Sequence, residues 1–384
     1  MIVLDVAAIA LAGLIALHGL WWTVLALAAL PRPRPAPRAP RSWRLAVIVP
    51  AHDEERLIGR CLASLRATPW RPAPEIVVVA DNCSDSTAAL ARGFDVTVLA
   101  RDDRTKVGKS YALQHALAEL ESRPSPPDEV VVVDADSVVG PAFFEGLATA
   151  LDGGAAAAQA YYEAEPAVAP TARLRRLAFA LTHWARPLGS RRLGLGTGIK
   201  GNGFAVRWEF ARLALGADGL AEDAAATLAL ARRSQVVAFA PHATLAAPMA
   251  ASAAEARRQE GRWEQGRLSL AVHALTIAAG QLCRGRFGAA AAAVEVATLP
   301  LSLLGFGAVI AFGLGLAGVG SLPLALVALG SLASFVLVGL AAARTPLDQL
   351  VALASLPAFL LNKLRLYLGL VAGRGPTGWA RTRR

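Results

Sequence analysis

Val130-Val-Val-Val-Asp134-Ala-Asp136 is the stretch whose reading decides the fold. Four consecutive valines leave no polar face, so they read as a strand covered on both sides, as strands of a largely parallel sheet are. The run ends in two carboxylates spaced i, i+2. Alternate strand residues share a face, so at a fraying strand end both can lean towards one ligand. Hard carboxylate oxygens at the carboxyl end of such a strand suit Mg²⁺ or Mn²⁺, which commonly bridges to substrate phosphates. Taken alone, the same residues also read as an acidic strand-to-loop turn.

Working outward, further strand-like runs lie at 45–49, 75–80 and 96–99, with a weaker one at 155–161. Helix-like stretches at 55–67, 85–92 and 108–122 separate them. Alternating β and α elements predict a parallel α/β sheet with its site at the carboxyl ends of the strands. Three such ends carry polar loops: Pro50-Ala-His-Asp-Glu54, Asp81-Asn-Cys-Ser-Asp85 and Asp134-Ala-Asp136.

The flanks have another texture. Residues 2–30 are almost uniformly apolar, with Trp21 and Trp22 towards the end and arginines at 32, 34, 38, 41 and 44. That run is long enough to span a bilayer with tilt, and the charge after it predicts an outside N-terminus and a cytoplasmic domain beyond. The Pro/Arg-rich stretch 31–44 reads as a stiff linker. Residues 251–285 are basic and aromatic, then apolar, as in helices lying in a membrane interface. Two more spans are expected at about 289–316 and 321–343, forming a hairpin within 286–343. The last apolar segment, about 347–372, holds Lys363 and Arg365 and precedes Arg374, Arg381, Arg383 and Arg384. Spanning would leave that basic tail outside, so 344–384 reads as an interfacial or re-entrant segment with a cytoplasmic tail.

Bulk numbers agree. The 384 residues are 55% hydrophobic with a mean hydropathy of +0.44, which places part of the chain in lipid. The net charge of +10 comes with arginines clustered beside apolar segments, a pattern of anchoring on an anionic leaflet. No nucleic-acid-binding motif accompanies it, so nucleic acid is not an expected partner. Three cysteines without metal or disulfide spacing point to a reducing compartment. Two apparent motifs fail. Gly108-Lys109-Ser110 ends like a P-loop, but its first glycine would fall on Asp103; Gly196-Thr-Gly198-Ile-Lys-Gly201 fits a dinucleotide fingerprint but follows Arg191-Arg192 rather than a first buried strand.

Val47-Ile-Val-Pro-Ala-His-Asp-Glu54, Ala80-Asp81-Asn-Cys-Ser-Asp85, Asp134-Ala-Asp136, Glu222-Asp223 and Gln259-Glu-Gly-Arg262-Trp263 occur in that order. Together, from about residue 45 to 265, they resemble the ordered motif set of membrane-bound family 2 glycosyltransferases. That group includes the cellulose, chitin and hyaluronan synthases and the ceramide or hopanoid glycosyltransferases. The resemblance implies an α/β GT-A nucleotide-diphospho-sugar transferase domain, Rossmann-like, over 45–250, with flanking transmembrane helices. Pro50, Ala51, Glu54 and Asp81 would hold the uridine of a UDP-sugar, Asp81 accepting from the uracil N–H. The family commonly has two acidic residues at 80–81; here the first is Ala80. Lys109 would lie near the nucleotide-sugar, and Asp134, Ala135 and Asp136 would line the diphosphate, the two acids holding Mg²⁺ or Mn²⁺.

The resemblance also implies that Asp223, beside Glu222, is the general base that deprotonates an acceptor hydroxyl for inverting attack. Gln259, Arg262 and Trp263 would complete the catalytic set, Arg262 stabilising the leaving diphosphate and Trp263 forming a wall for the acceptor. Gly201, Asn202 and Gly203 resemble the acceptor-side loop. Each residue has a plainer reading: Asp81 and Asp85 as a turn and helix cap, Lys109 as an exposed helix-start lysine, Asp223 as an acidic helix N-terminus, and 259–263 as an interface helix without chemistry. Functionally this predicts an inverting, metal-dependent hexosyltransferase, multi-pass in a bacterial-type inner membrane. Its acceptor would be a lipid or lipid-linked glycan; a processive polysaccharide synthase is the alternative, and a catalytically silent nucleotide-sugar-binding scaffold the reading from another class.

Overall fold

The computed structural model describes residues 1–34, 43–166, 170–217, 221–249 and 253–371; at 170, 171, 253, 254, 256, 258, 262, 348, 370 and 371 it describes only the backbone. Most of the Pro/Arg-rich linker and the basic tail beyond 371 lie outside the described residues. Contacts divide the chain into two units. One holds 33–166, 194–297 and 370–384, and the other 1–32, 167–193 and 298–369.

The first unit is built on one eight-stranded sheet. Its strands are β1 (Leu45–Ala51), β2 (Glu75–Asp81), β3 (Thr97–Arg101), β4 (Glu129–Val132), β5 (Val138–Val139), β6 (Ala157–Ala164), β7 (Phe204–Arg207) and β8 (Val237–Ala247), in the order β3-β2-β1-β4-β7-β6-β8-β5. The first four are parallel, as the apolar runs predict. The other half corrects the expectation of a parallel sheet: β7 runs antiparallel to both β4 and β6, and β5 antiparallel to β8. Alternation sends Val47, Val49, Val131 and Val133 to one face, against helices 58–67 and 143–151. Ala46, Ile48, Val130 and Val132 go to the other, against helices 109–121 and 208–215. Both faces are dry, which is why these strands carry no polar alternation.

The antiparallel β7 positions the site. Its first residue, Phe204, pairs with Val132, the last residue of β4. The chain entering β7 therefore arrives where β4 ends. A loop that would lie at the far edge of a parallel strand is instead delivered to the carboxyl ends of β1 and β4.

Two expectations about the flanks are revised. The interface segment is a single helix, Ala253–Cys283. The span expected at 289–316 is interrupted: one helix ends at Ala297 and the next starts at Leu301, after Pro300. The first piece, Phe287–Ala297, belongs to the sheet unit, where Ala289, Ala293 and Val296 pack with Leu228, Ala274 and Ile277. Alanine suits close helix packing within protein as well as it suits lipid, so composition could not separate the two.

The second unit is helical. Helix Ile2–Ala29 runs along Leu322–Ala342, with the Trp22 and Phe335 rings 5.0 Å apart. Gly19 permits this approach, since a Cβ there would collide with Ser331, and the Thr23 hydroxyl donates to the Ser331 carbonyl at 3.1 Å. Residues 170–192, whose helical character the sequence reading missed, add two helical stretches with one π-helical turn between them at Leu181–Ala185. Here Arg186 is buried, its guanidinium 4.7 Å from the Trp22 ring centre. Three helical segments, Ile2–Ala29, Leu322–Ala342 and Gln349–Gly369, are long and apolar enough to cross a membrane.

Candidate active site

The loops after β1 and β2 clasp each other. The imidazole of His52 donates to the Asp81 carbonyl at 2.7 Å, the Asp53 carboxylate accepts from the Ser84 amide at 2.6 Å, and the Glu54 amide donates to the Thr87 hydroxyl at 2.7 Å. Asp53 and Asn82 sit at φ 54° and 52°, in the left-handed region that Asp and Asn tolerate best among side-chain-bearing residues. Asp85 does not cap by itself. It accepts from the Thr87 amide and hydroxyl at 2.9 and 2.5 Å, forming a local turn before helix 87–92. Pro50 and Ala51 are in β1, and the Ala51 methyl is in the core.

Asp81 ends β2 and is buried, and the register Asp81↔Arg101 sets β3's last residue beside it. The Arg101 guanidinium donates to Asp81 at 2.5 Å, to Asp103 at 3.0 Å and to the Lys106 carbonyl at 2.8 Å, and lies 5.8 Å from the Tyr111 ring centre. Sequence reasoning missed Arg101. The available signal was a cation ending an otherwise apolar strand one step from the Asp81 loop.

Past β4, the Asp134 amide donates to the Asn202 side-chain carbonyl at 3.0 Å, and the Asn202 amide donates to Ser137 Oγ at 2.8 Å. Ser137 in turn donates to the Asp136 carboxylate at 3.2 Å. Asp136 and Asn202 are buried, so Asn202 fixes the turn that presents both aspartates. The Ala135 methyl packs into the core.

Lys109, at the start of helix 109–121, donates to both the Asp134 carboxylate and the Gly201 carbonyl. It is therefore not the exposed helix-start lysine of the plainer reading. Burial pulls its ammonium pKa down, but Asp134, Glu222 and Asp223 outweigh burial and leave it above its ordinary value. Glu222 and Asp223 open helix 222–232. Burial, with Asp223 adding, pushes the Glu222 carboxyl up to about 7, and Lys109 restrains the rise. Asp223 accepts from the Ala224 amide at 2.8 Å, and its other oxygen lies 3.6 Å from where a Cβ on Gly201 would sit. Gly201 and Gly203 have φ of +80° and +66°, and a Cβ on Gly203 would run into Leu245. Lys109, Gly201, Glu222 and Asp223 line one cleft together with Phe204 and Leu215.

Helix 253–283 approaches this corner through Gly266, where an added Cβ would meet Ala221 at 2.7 Å. On that helix Gln259 is half-buried and Trp263 is 42% exposed. The Arg262 side chain lies outside the described residues.

A mixed sheet of this topology, with acidic loops at the carboxyl ends of β2 and β4 and a carboxylate pair beside Lys109, has the GT-A fold of glycosyltransferases. The chain belongs to the glycosyltransferase-like family 2, whose model matches residues 40–266, more than half of its length. It is a glycosyltransferase. Among solved structures it is similar to the mannosyltransferase PcManGT of Pyrobaculum calidifontis, in complex with GDP-Man and Mn²⁺, at 21% identity over 95% of this chain and 98% of that one, with a TM-score of 0.59. Looser matches are TarS of S. aureus (15% identity, 60% of this chain and 65% of that one, TM-score 0.40) and the glucosyl-3-phosphoglycerate synthase of Mycobacterium tuberculosis in complex with Mn²⁺, UDP and phosphoglyceric acid (19%, 58% and 78%, 0.40). At these identities the likeness speaks for the fold. No curated protein sequence matches the chain.

Proposed function

We propose that this enzyme transfers a hexose from a UDP-sugar, with inversion, to a lipid or lipid-linked acceptor at the cytoplasmic face of a membrane. One observation carries the reading: the Lys109 ammonium links Asp134 to the Gly201 carbonyl, and Asp223 stands against that same Gly201. Donor-side and acceptor-side carboxylates thus meet around one small loop.

In this reading Asp223 takes the proton from the acceptor hydroxyl, the acceptor oxygen bonds to the anomeric carbon, and the bond from that carbon to the diphosphate breaks. Asp136 and Asp134 would hold a divalent cation. Their hard oxygens fit Mg²⁺ or Mn²⁺, and Asp134 already accepts a cation in the form of Lys109. When bound, the metal neutralises charge on the departing diphosphate. The pyrobaculum enzyme's complex with Mn²⁺ supports divalent-metal use. Asp81, with Arg101, would face the nucleobase, and Gln259, Arg262 and Trp263 would border the acceptor. Membrane association is supported by the three helices long and apolar enough to span. The half-exposed Trp263 is a flat surface a growing glycan could also stack on, which keeps processive synthesis as the second reading.

The test is full-length protein in native-lipid discs with Mn²⁺ and a panel of UDP-sugars, with GDP-mannose as comparison donor. Nucleotide release and the mass spectrum of the lipid extract are read together. Release of UDP with a single-hexose mass shift on one lipid is expected. A high-mass ladder would replace the lipid acceptor by a polymer, and turnover of GDP-mannose alone would replace the donor.

A further inference from the structure

The loop 196–203 lies between β6, helix 222–232 and helix 287–297, and almost none of it is in regular structure. The amides of 197–200 are nevertheless all taken, as buried backbone donors usually are. The Thr197 amide donates to the Val237 carbonyl at 2.9 Å, the Gly198 amide to Glu295 Oε2 at 2.6 Å, the Ile199 amide to Thr227 Oγ1 at 2.9 Å, and the Lys200 amide to Gln159 Oε1 at 2.8 Å. Three of the four acceptors are side chains from distant parts of the chain. Glu295 is the most heavily used: it also accepts from the Thr197 hydroxyl at 2.9 Å and from the Lys200 ammonium. Its side chain is only 11% exposed and that of Lys200 15%. The helix that carries Glu295 is itself tied down, since Arg267 donates to the Glu295 carbonyl at 2.8 Å, at a helix end where carbonyls lack intrahelical partners.

We infer that Glu295 is a positioning residue for transfer: its largely covered carboxylate sets loop 196–203, and through it the Gly201 carbonyl that receives Lys109. The path is short and physical. Glu295 fixes Thr197, Gly198 and Lys200; the next residue is Gly201, whose carbonyl accepts from Lys109 and whose backbone faces Asp223. The reaction as proposed uses no atom of Glu295. What it supplies is placement. Displacements of about 1 Å at a reacting centre cost about 10²-fold in rate. A lone carboxylate in an alanine-rich helix that would otherwise suit lipid therefore has a stated purpose within the sheet unit.

This assignment rests on the transferase reading above, so the experiment carries one readout that does not. Removing one member of a buried ion pair strands the other, so variants are made charge-balanced. Lys200→Met/Glu295→Ala removes the charges and the acceptor, whereas Lys200→Met/Glu295→Gln removes the charges but keeps an amide oxygen for Thr197 and Gly198. Amide hydrogen exchange of the full-length protein in lipid discs, Mn²⁺-dependent UDP binding and transfer are measured on each. The alanine variant is expected to lose protection at residues 197–201 only, and to lose transfer by about 10- to 100-fold, with UDP binding within about twofold. The glutamine variant is expected to restore both loop protection and transfer to within about threefold of wild type. Unchanged loop protection in the alanine variant overturns the inference, as does a loss spread evenly across β1, β2 and β4, which would mark a purely structural residue. If no nucleotide-sugar is turned over by wild type, the functional proposal fails, and the exchange data still decide whether Glu295 sets the loop.

Discussion

The donor-side loops and the acceptor-side loop are held in opposite ways. After β1 and β2, neighbouring loops hold each other through His52, Asp53, Ser84 and Thr87, and the strands that feed them are adjacent in the sheet. Loop 196–203 is held from outside, by Gln159 on β6, Thr227 on helix 222–232 and Glu295 on helix 287–297. A self-clasped pair of loops can stay formed whether or not the acceptor side is in order. A loop hung on several separate elements, β8 through the Val237 carbonyl among them, registers changes in any of them. On this account, damage to the β2–β4 side, which includes the Asn202 contacts to Asp134 and Ser137, weakens donor binding, and damage on the Glu295 and Asp223 side spares donor binding and weakens transfer.

The largest effect separating the two sides is expected from Asp223→Asn. The variant cannot accept a proton, and loss of a general base costs about 10²- to 10⁴-fold in rate. Steady-state transfer by membrane-inserted protein reads this out, and transfer at the wild-type rate would remove Asp223 from the reaction. Next is Asp136→Ala. Several kcal/mol of charge stabilisation at the diphosphate would go with the metal, so transfer falls by about 10²-fold or more and the Mn²⁺ dependence of UDP binding disappears. Retained Mn²⁺-dependent binding would place the metal elsewhere.

A smaller effect is expected on the nucleobase side. Arg101→Met removes the charge-assisted hydrogen bond that holds Asp81, worth about 1.5–3 kcal/mol. UDP titration should show binding about tenfold weaker, with the rate at saturating donor little changed. A fall in that rate without weaker binding would move Arg101 to the acceptor side. The smallest effect is on stability. Burial lifts the Glu222 carboxyl from 4.5 to about 7, so between those values the native state holds a proton that the unfolded chain has released. Stability from this group is therefore undiminished below about 4.5 and falls as pH rises to about 7. Glu222→Gln should flatten that slope in thermal unfolding; an unchanged slope would assign it to another group.

The same contrast governs what the sequence disclosed. β1, β2 and β4 are short apolar runs buried on both faces, and their polar ends stand next to them in the chain, so Asp81, Asp134 and Asp136 could be read directly. Asp223 and Glu222 were found by their place in an ordered motif set rather than by any local pattern. The mixed half was hidden. Phe204–Arg207 is four residues long and antiparallel, and its pairing with β4 is a long-range fact with no local trace. Arg101 depends on the register between β2 and β3. Glu295 lies in a run of alanines that lipid and a packed helix would accept equally well, and only its contacts with Thr197, Gly198 and Lys200 tell them apart.

The most direct test of the separation is calorimetric titration of UDP with Mn²⁺ into wild type and Asp223→Asn, both inserted in lipid discs, with Asp136→Ala as reference. The account predicts that Asp223→Asn binds UDP within about twofold of wild type while transferring sugar about 10²- to 10⁴-fold more slowly, because a base that acts on the acceptor leaves ground-state donor binding alone. A loss of UDP affinity in Asp223→Asn as large as that in Asp136→Ala would contradict it, and would make the two carboxylates parts of one donor site.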